Sequence, residues 1–248
     1  KIYICQGISL AHKTSTTHSL LNDIQKGHLK DLVRDYRDVF AVTDQELGRT
    51  HLYEHKLRLK PGSVPPRPRL YRTNPHEREI IRDQIKDMLQ NGVIKHVENS
   101  TYSSPTLLVK KKDGNMRFCA DLRAMNSILE EDTYPLPLIQ DVLDAIGSAK
   151  ASVYSIVDLR SAFWQIPVCE SSQKYLTINT FMGKYAFQVL PFGLHSSPAA
   201  FQRIMNIVLQ EVAWDYAIPF IDDIAVFSKN IEDRKSTRLN SSHQIISY

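Results

Sequence analysis

The sequence predicts an α+β fold in which short antiparallel hairpins are mixed irregularly with amphipathic helices. Apolar residues recur at helical spacing in three windows. Two hairpin patterns and one short β-branched or aromatic run lie between those windows and a second such run follows the last, with Gly or Asp at the turns. No strand-helix-strand repeat links them, which argues against a doubly wound sheet. With 248 residues and 42% hydrophobic content, the chain can bury one large core or two smaller ones. It has no apolar run long enough to span a bilayer, and its opening KIYICQGISLAHK lacks the pattern of a signal peptide. A soluble intracellular protein is expected.

Taken in chain order, the first distinctive segment is Lys56 to Arg72, KLRLKPGSVPPRPRLYR, with six basic residues, four prolines and no acid. Such a stretch cannot form a regular helix and should run extended, as a solvated linker or a phosphate-contacting arm. The first helix is NPHEREIIRDQIKDMLQNG: Asn74 is the N-cap, Pro75 takes the first turn, Glu77 completes a capping box and Gly92 stops it. Ile81, Ile85, Met88 and Leu89 form its expected buried stripe. TLLVKKKDGNMRFC then reads as a hairpin turning at Asp113-Gly114. In LPLIQDVLDAIG, Ile139, Val142, Leu143 and Ile146 define a second helix ended by Gly147. SVYSIVD is a short strand, and KYLTINTFMGKYAFQVL a hairpin turning near Met182-Gly183. The third helix starts at Ser197-Pro198 and buries Phe201, Ile204, Met205, Val208 and Leu209. PFIDDIAVF closes the series as two strand-like flanks around an Asp pair.

Those aspartates carry the chemistry. Asp158 follows the apolar run Val153 to Val157, and Asp222-Asp223 interrupts Ile218 to Phe227. Taken separately, a strand-end Asp and an Asp-Asp turn need no function, because Asp tolerates turn geometry. If the two strands are neighbours, three carboxylates converge, and their repulsion calls for divalent cations. Oxygen-only ligands favour magnesium or manganese over zinc. Two such ions suit in-line phosphoryl displacement, as in polymerases and nucleases. Other metal readings are weaker. Cys5, Cys119 and Cys169 show no CxxC spacing, and His51 and His55 sit four apart with no further Cys or His to complete a zinc site. The net charge of +4 does not by itself indicate nucleic acid.

FIDD resembles the [YF]-x-D-D box of reverse transcriptases. LLVKKKDGNMRFCADLRAMN, YPLP, VDLRSAFWQI and LPFGLHSSPAAFQ resemble the other motifs of that enzyme in the same order, over roughly Leu52 to Glu232. The match is to gypsy-type long-terminal-repeat retrotransposon Pol polyproteins. The resemblance implies a polymerase right-hand fold with only fingers and palm, the antiparallel palm sheet packed on helices. It implies RNA-directed DNA polymerase activity with catalytic and metal-ligating Asp158, Asp222 and Asp223, the Leu159 carbonyl as a further ligand, and two Mg2+ ions or Mn2+ in their place. Lys111 and Arg117 would grip the incoming deoxynucleoside triphosphate, beside Ala162, the steric gate Phe163 and Phe192. Phe220 and Ile221 depart from the more usual Tyr and Leu, which should alter efficiency or fidelity and leave the chemistry intact.

The implied organisation is a polyprotein linker and extended arm over 1–68, fingers over 69–132 and 168–191, and palm over 133–167 and 192–232. Asp233 to Tyr248 begins DRKSTRLNSSH, which a common sequencing adapter encodes in frame, so we expect 233–248 to be a non-native tail. Implied partners are an RNA or DNA template with its primer, deoxynucleoside triphosphates and the rest of Pol: protease, thumb, ribonuclease H and integrase. The implied setting is cytoplasmic, within virus-like particles, with no membrane. An alternative is an inactive nucleic-acid-binding remnant without thumb and ribonuclease H.

Overall fold

The computed structural model describes residues 23–35, 37, 41, 43–65, 67, 70–110, 114, 116–151 and 153–229. Lys111, Asp113 and the expected tail 233–248 lie outside the described residues. The chain divides into two compact units, one comprising 1–48, 136–161 and 205–248, the other 49–135 and 162–204. In chain order the helices are α1 (Asp23–Asp35), α2 (Pro75–Gln90), α3 (Arg123–Asn126), α4 (Ile139–Ser148), α5 (Glu170–Gln173) and α6 (Ser197–Val208). The strands are β1 (Ile94–His96), β2 (Ser104–Lys110), β3 (Met116–Ala120), β4 (Val153–Asp158), β5 (Thr177–Thr180), β6 (Gly183–Phe187), β7 (Ala217–Phe220) and β8 (Asp223–Ser228). None of the described helices is long and apolar enough to cross a membrane.

The 49–135 and 162–204 unit holds a five-stranded sheet of order β1-β6-β5-β2-β3. Both predicted hairpins are present, β2 with β3 and β5 with β6. A short parallel pairing, Ser104 opposite Ile178, joins them. Helix α2 starts as the sequence predicts: Asn74 Oδ1 accepts the Glu77 N–H at 2.8 Å, and Glu77 Oε2 accepts the Asn74 N–H at 2.8 Å. That reciprocal box satisfies donors the first turn leaves over. The helix ends at Gln90, and Gly92 adopts φ +63°, a left-handed C-terminal turn that glycine makes at little cost. Ile81, Ile85 and Met88 are buried, whereas Leu89 is 39% exposed, so the apolar stripe is one residue narrower than its periodicity implies. The arm after Arg49 is non-helical where described. It is tied down by bridges from His55 to Val168 and from Leu59 to Leu129.

The other unit carries a three-stranded antiparallel sheet of order β4-β8-β7. Here the second predicted helix departs from expectation. α4 runs through Gly147 to Ser148, and none of its residues is buried. Ile139 is 67% exposed and Leu143 56%. Helical periodicity identifies an apolar face but not whether anything covers it. All five apolar residues predicted to be buried in and just after α6 are buried.

The Asp-Asp turn is displaced by one residue. Phe220 pairs with Asp223, so the two-residue loop is Ile221-Asp222, and Asp223 is already the first residue of β8. Ile221 takes φ +55°, a left-handed conformation that is an outlier for a β-branched side chain. Relief of that strain gives a direct expectation: Ile221→Gly should raise unfolding stability by about 0.5–1 kcal/mol, measured by urea titration. A loss of stability would show that Ile221 contributes packing that outweighs its backbone strain.

Candidate active site

Antiparallel pairing of β4 with β8 puts the three aspartates at one end of one sheet. β4 and β8 pair antiparallel through six positions, from Val153 opposite Ser228 to Asp158 opposite Asp223. The Leu159 N–H then donates to the Asp222 carbonyl at 3.0 Å, extending the ladder by one bond past the strand end. Cross-strand partners share a face of a sheet, so Asp158 and Asp223 stand side by side, with Asp222 in the adjoining turn. All three are exposed, while Leu159 is buried at 3%.

Partial burial, then the charges of Asp223 and Asp222, raise the Asp158 carboxyl above the ordinary carboxylate value. Asp223 is raised by partial burial and by Asp222. Both shifts say that the ionised cluster carries a cost a cation would offset. Among the described residues, no three His, Cys, Asp or Glu side chains form a ready-made metal cage. The donor set nonetheless fits magnesium, which typically takes one or two protein carboxylates and fills its remaining positions with water and phosphate oxygens.

A raised folded-state carboxyl pKa means that stability present at lower pH is lost as pH climbs from the ordinary carboxylate value through the raised one. Asp223→Asn should therefore raise the metal-free melting temperature at neutral pH by about 1–3 °C. Mg2+ should stabilise the parent chain more than this variant. Calorimetry showing a lower melting temperature for the variant would contradict the repulsion.

The aromatic residues implied by the resemblance lie in the five-stranded unit. Phe163 sits in a short 3-10 turn, Ala162 to Gln165, that begins at buried Ala162. Its ring meets Phe192 edge-on at a centroid distance of 5.4 Å and the buried Phe201 at 5.9 Å. Trp164 lies 5.9 Å from Phe192, which is itself 44% exposed. Phe163 thus rests on the core and also contacts an exposed ring. Arg117 lies on β3 opposite Val109, with its side chain exposed. Lys111 falls outside the described residues.

Sequence reasoning passed over a second polar feature in this unit. A cleft of about 600 Å3 is lined by Arg67, Tyr71, Ser103, Ser104, Asp121 and Arg123. Arg123 forks onto Asp121 at 2.8 and 2.7 Å, and the Tyr71 hydroxyl donates to the same carboxylate at 2.9 Å. The Arg123 fork holds the Asp121 carboxyl far below the usual range, despite the opposing effect of burial. The Ser103 and Ser104 hydroxyls are buried without a hydrogen-bond partner among the described residues. Their only signal in the sequence is a Ser-Ser-Pro triplet, which turns use freely.

This two-unit α+β fold, with an antiparallel sheet ending in paired carboxylates, is the fingers and palm of a right-hand polymerase. Residues 109–247 match the family model described as reverse transcriptase (RNA-dependent DNA polymerase). The chain belongs to the reverse transcriptase family, among the Pol polyproteins of long-terminal-repeat retrotransposons. It is 33% identical over 225 residues to the retrovirus-related Pol polyprotein of Drosophila melanogaster transposon 412, covering 87% of this chain and 18% of that polyprotein. It is 26% identical to the transposon Tf2-3 polyprotein of Schizosaccharomyces pombe over 90% of this chain and 17% of the other. The chain thus spans about a fifth of the length of these relatives. Native prototype foamy virus protease-reverse transcriptase superimposes with a TM-score of 0.77 at 26% identity, over 92% of this chain and 30% of that one. A foamy viral protease-reverse transcriptase solved in complex with an RNA/DNA hybrid shares the fold, with a TM-score of 0.75 at 23% identity, over 92% of this chain and 30% of that one.

Proposed function

We propose that the chain supplies the fingers and palm of an RNA-directed DNA polymerase from a gypsy-type retroelement, extending a primer 3′-hydroxyl with deoxynucleotides. The observation that carries this is the register of Asp158 opposite Asp223 beside the Asp222 turn. Asp158 and Asp222 would hold two Mg2+ ions, or Mn2+, with Asp223 and the Leu159 carbonyl alongside. When bound, such ions lower the charge barrier to attack on the α-phosphate and to release of pyrophosphate. Arg117 and Lys111 would orient the triphosphate by charge-assisted hydrogen bonds. Phe163 and Phe192 would bound the sugar and base, with Ala162 beneath them.

The reading of 69–132 and 168–191 as fingers, and of 133–167 and 192–232 as palm, follows the same motifs. The nucleic-acid partner would be a primed RNA or DNA template, held mainly through its phosphates because base pairing reads its sequence. The cleft between Arg67 and Arg123, with two hydroxyls that have no partner among the described residues, offers donors of the kind that bind a phosphate backbone. The setting would be the cytoplasm, within virus-like particles, alongside the remaining Pol domains. An inactive remnant has less support, because the chain retains every carboxylate of the box. Primer extension on a labelled template tests the proposal. Mg2+-dependent lengthening that weakens with salt is expected. Shortening of the primer would indicate a nuclease.

A further inference from the structure

A buried polar chain in the five-stranded unit plays no part in the reaction proposed above. His55 is 3% exposed and Ser196 4%. His55 Nε2 lies 3.0 Å from Ser196 Oγ, and its Nδ1 lies 3.1 Å from the Tyr53 hydroxyl. Arg203 Nη1 donates to the Tyr53 oxygen at 3.3 Å. The same guanidinium forks onto Asp132 at 3.1 and 2.7 Å, and its face lies over the rings of Tyr53 and Tyr134.

Counting donors along this chain selects one imidazole tautomer. Arg203 can only donate, so the Tyr53 oxygen accepts from it and is left with its own proton to place, and His55 Nδ1 is the acceptor within hydrogen-bond reach among the described residues. A neutral imidazole has one donor and one acceptor, so Nε2 carries the hydrogen and donates it to Ser196 Oγ. A protonated ring would present N–H at both nitrogens, lose the Tyr53 bond and add a second buried cation near Arg203. Burial opposes that charge most strongly, Arg203 and His195 oppose it too, and only Asp132 favours it. Together they hold the His55 imidazole well below its ordinary value, at about 4.

Ser196 joins the Pro191–His195 loop to α6. Its carbonyl accepts the Ala200 N–H at 3.0 Å, the first bond of the helix, and the neighbouring Ser197 hydroxyl donates back to the Pro191 carbonyl at 3.2 Å. The loop carries Phe192, whose ring lies against Phe163 and Trp164.

We infer that His55 is a positioning residue: its neutral Nε2–H, bonded to Ser196 Oγ, pins the Pro191–Ser196 loop and sets where Phe192 presents its ring to a bound nucleotide. The role in nucleotide positioning rests on the function proposed above for Phe192, whereas the pinning is a property of the loop. Acid strains the pin by charging the ring: Nε2–H is kept, but the new N–H at Nδ1 faces the proton Tyr53 donates and sets a second cation beside Arg203, which drives the ring from its place against Ser196.

Trp164 reports the loop's position, since the chain has only two tryptophans and Trp214→Phe leaves Trp164 alone. In the full chain with that change, the Trp164 emission wavelength should be constant at neutral pH and step with a midpoint near pH 4, where His55 charges. Ser196→Ala should bring the neutral-pH emission to the acid value, Ser196→Thr should keep the parent value, and His55→Gln should remove the step. Tyr53→Phe is a milder second variant that should move the midpoint with the fold intact by circular dichroism. Parent-like emission of Ser196→Ala at neutral pH, a step that persists in His55→Gln, or an unmoved midpoint in Tyr53→Phe would each overturn the pin. Affinity for Mg2+-bound deoxynucleoside triphosphate should fall at least about fivefold in Ser196→Ala. If emission shifts while affinity holds, the pin stands and the nucleotide role of Phe192 falls.

Discussion

Asp222→Asn is expected to lower Mg2+-dependent nucleotide incorporation at least about a thousandfold. Asparagine has nearly the shape of aspartate and suits a turn, and the Asp222 backbone carbonyl that accepts the Leu159 N–H is unchanged by the substitution. What is lost is one negative oxygen ligand at the point where charge develops in the reaction. Asp158→Asn should act equally severely, and Asp223→Asn less so, because the proposed reading puts Asp158 and Asp222 in direct contact with both ions. Two measurements test this together. Single-turnover extension reads the rate, and electron paramagnetic resonance counts Mn2+ bound in the presence of a deoxynucleoside triphosphate. Incorporation by Asp222→Asn at the parent rate, with both ions still bound, would remove the metal assignment.

The second large effect concerns sugar choice. Phe163→Val should relax discrimination against ribonucleotides by about a hundredfold, through a gain in ribonucleotide kcat/KM and little change for deoxynucleotides. The ring packs edge-on against both the buried Phe201 and Phe192, so its rim has little freedom to withdraw. Valine shortens the side chain by most of a ring and opens space where a 2′-hydroxyl would collide. Loss of the Phe201 contact should also cost about 1–3 kcal/mol of stability. If stability falls and sugar preference is unaltered, Phe163 belongs to the core alone.

The features of this fold that local chemistry dictates were legible in the sequence. The Asn74–Glu77 capping box, the Gly92 stop and the two hairpins each follow from a few residues in a row, and all appear in the structure. The juxtaposition of Asp158 with the Asp pair required an assumption about strand pairing, and the register bears it out. The misreadings concern how elements pair and pack, which a local run of residues does not set. The apolar period of α4 matches the helix, yet none of its residues is buried. Asp propensity pointed to Asp222-Asp223 as the turn, but cross-strand pairing puts Ile221 at the strained position. His55 stood out only as half of a doubtful zinc pair. One of its two hydrogen-bond partners, Ser196, lies 141 residues away.

The two-residue connection between β7 and β8 has an evolutionary consequence. Side chains in a strand alternate faces, so deleting or adding one residue at Ile221-Asp222 would rotate β8 by one position and bring Ile224 or Asp222 into the place opposite Asp158. Point substitutions such as Phe220 or Ile221 leave that geometry intact. Lineages descended from this sequence should thus drift in residue identity at Phe220 and Ile221, with Asp222 held by its proposed metal contact, while keeping the length of the tip fixed, and copies with a codon gained or lost there should be dead ends.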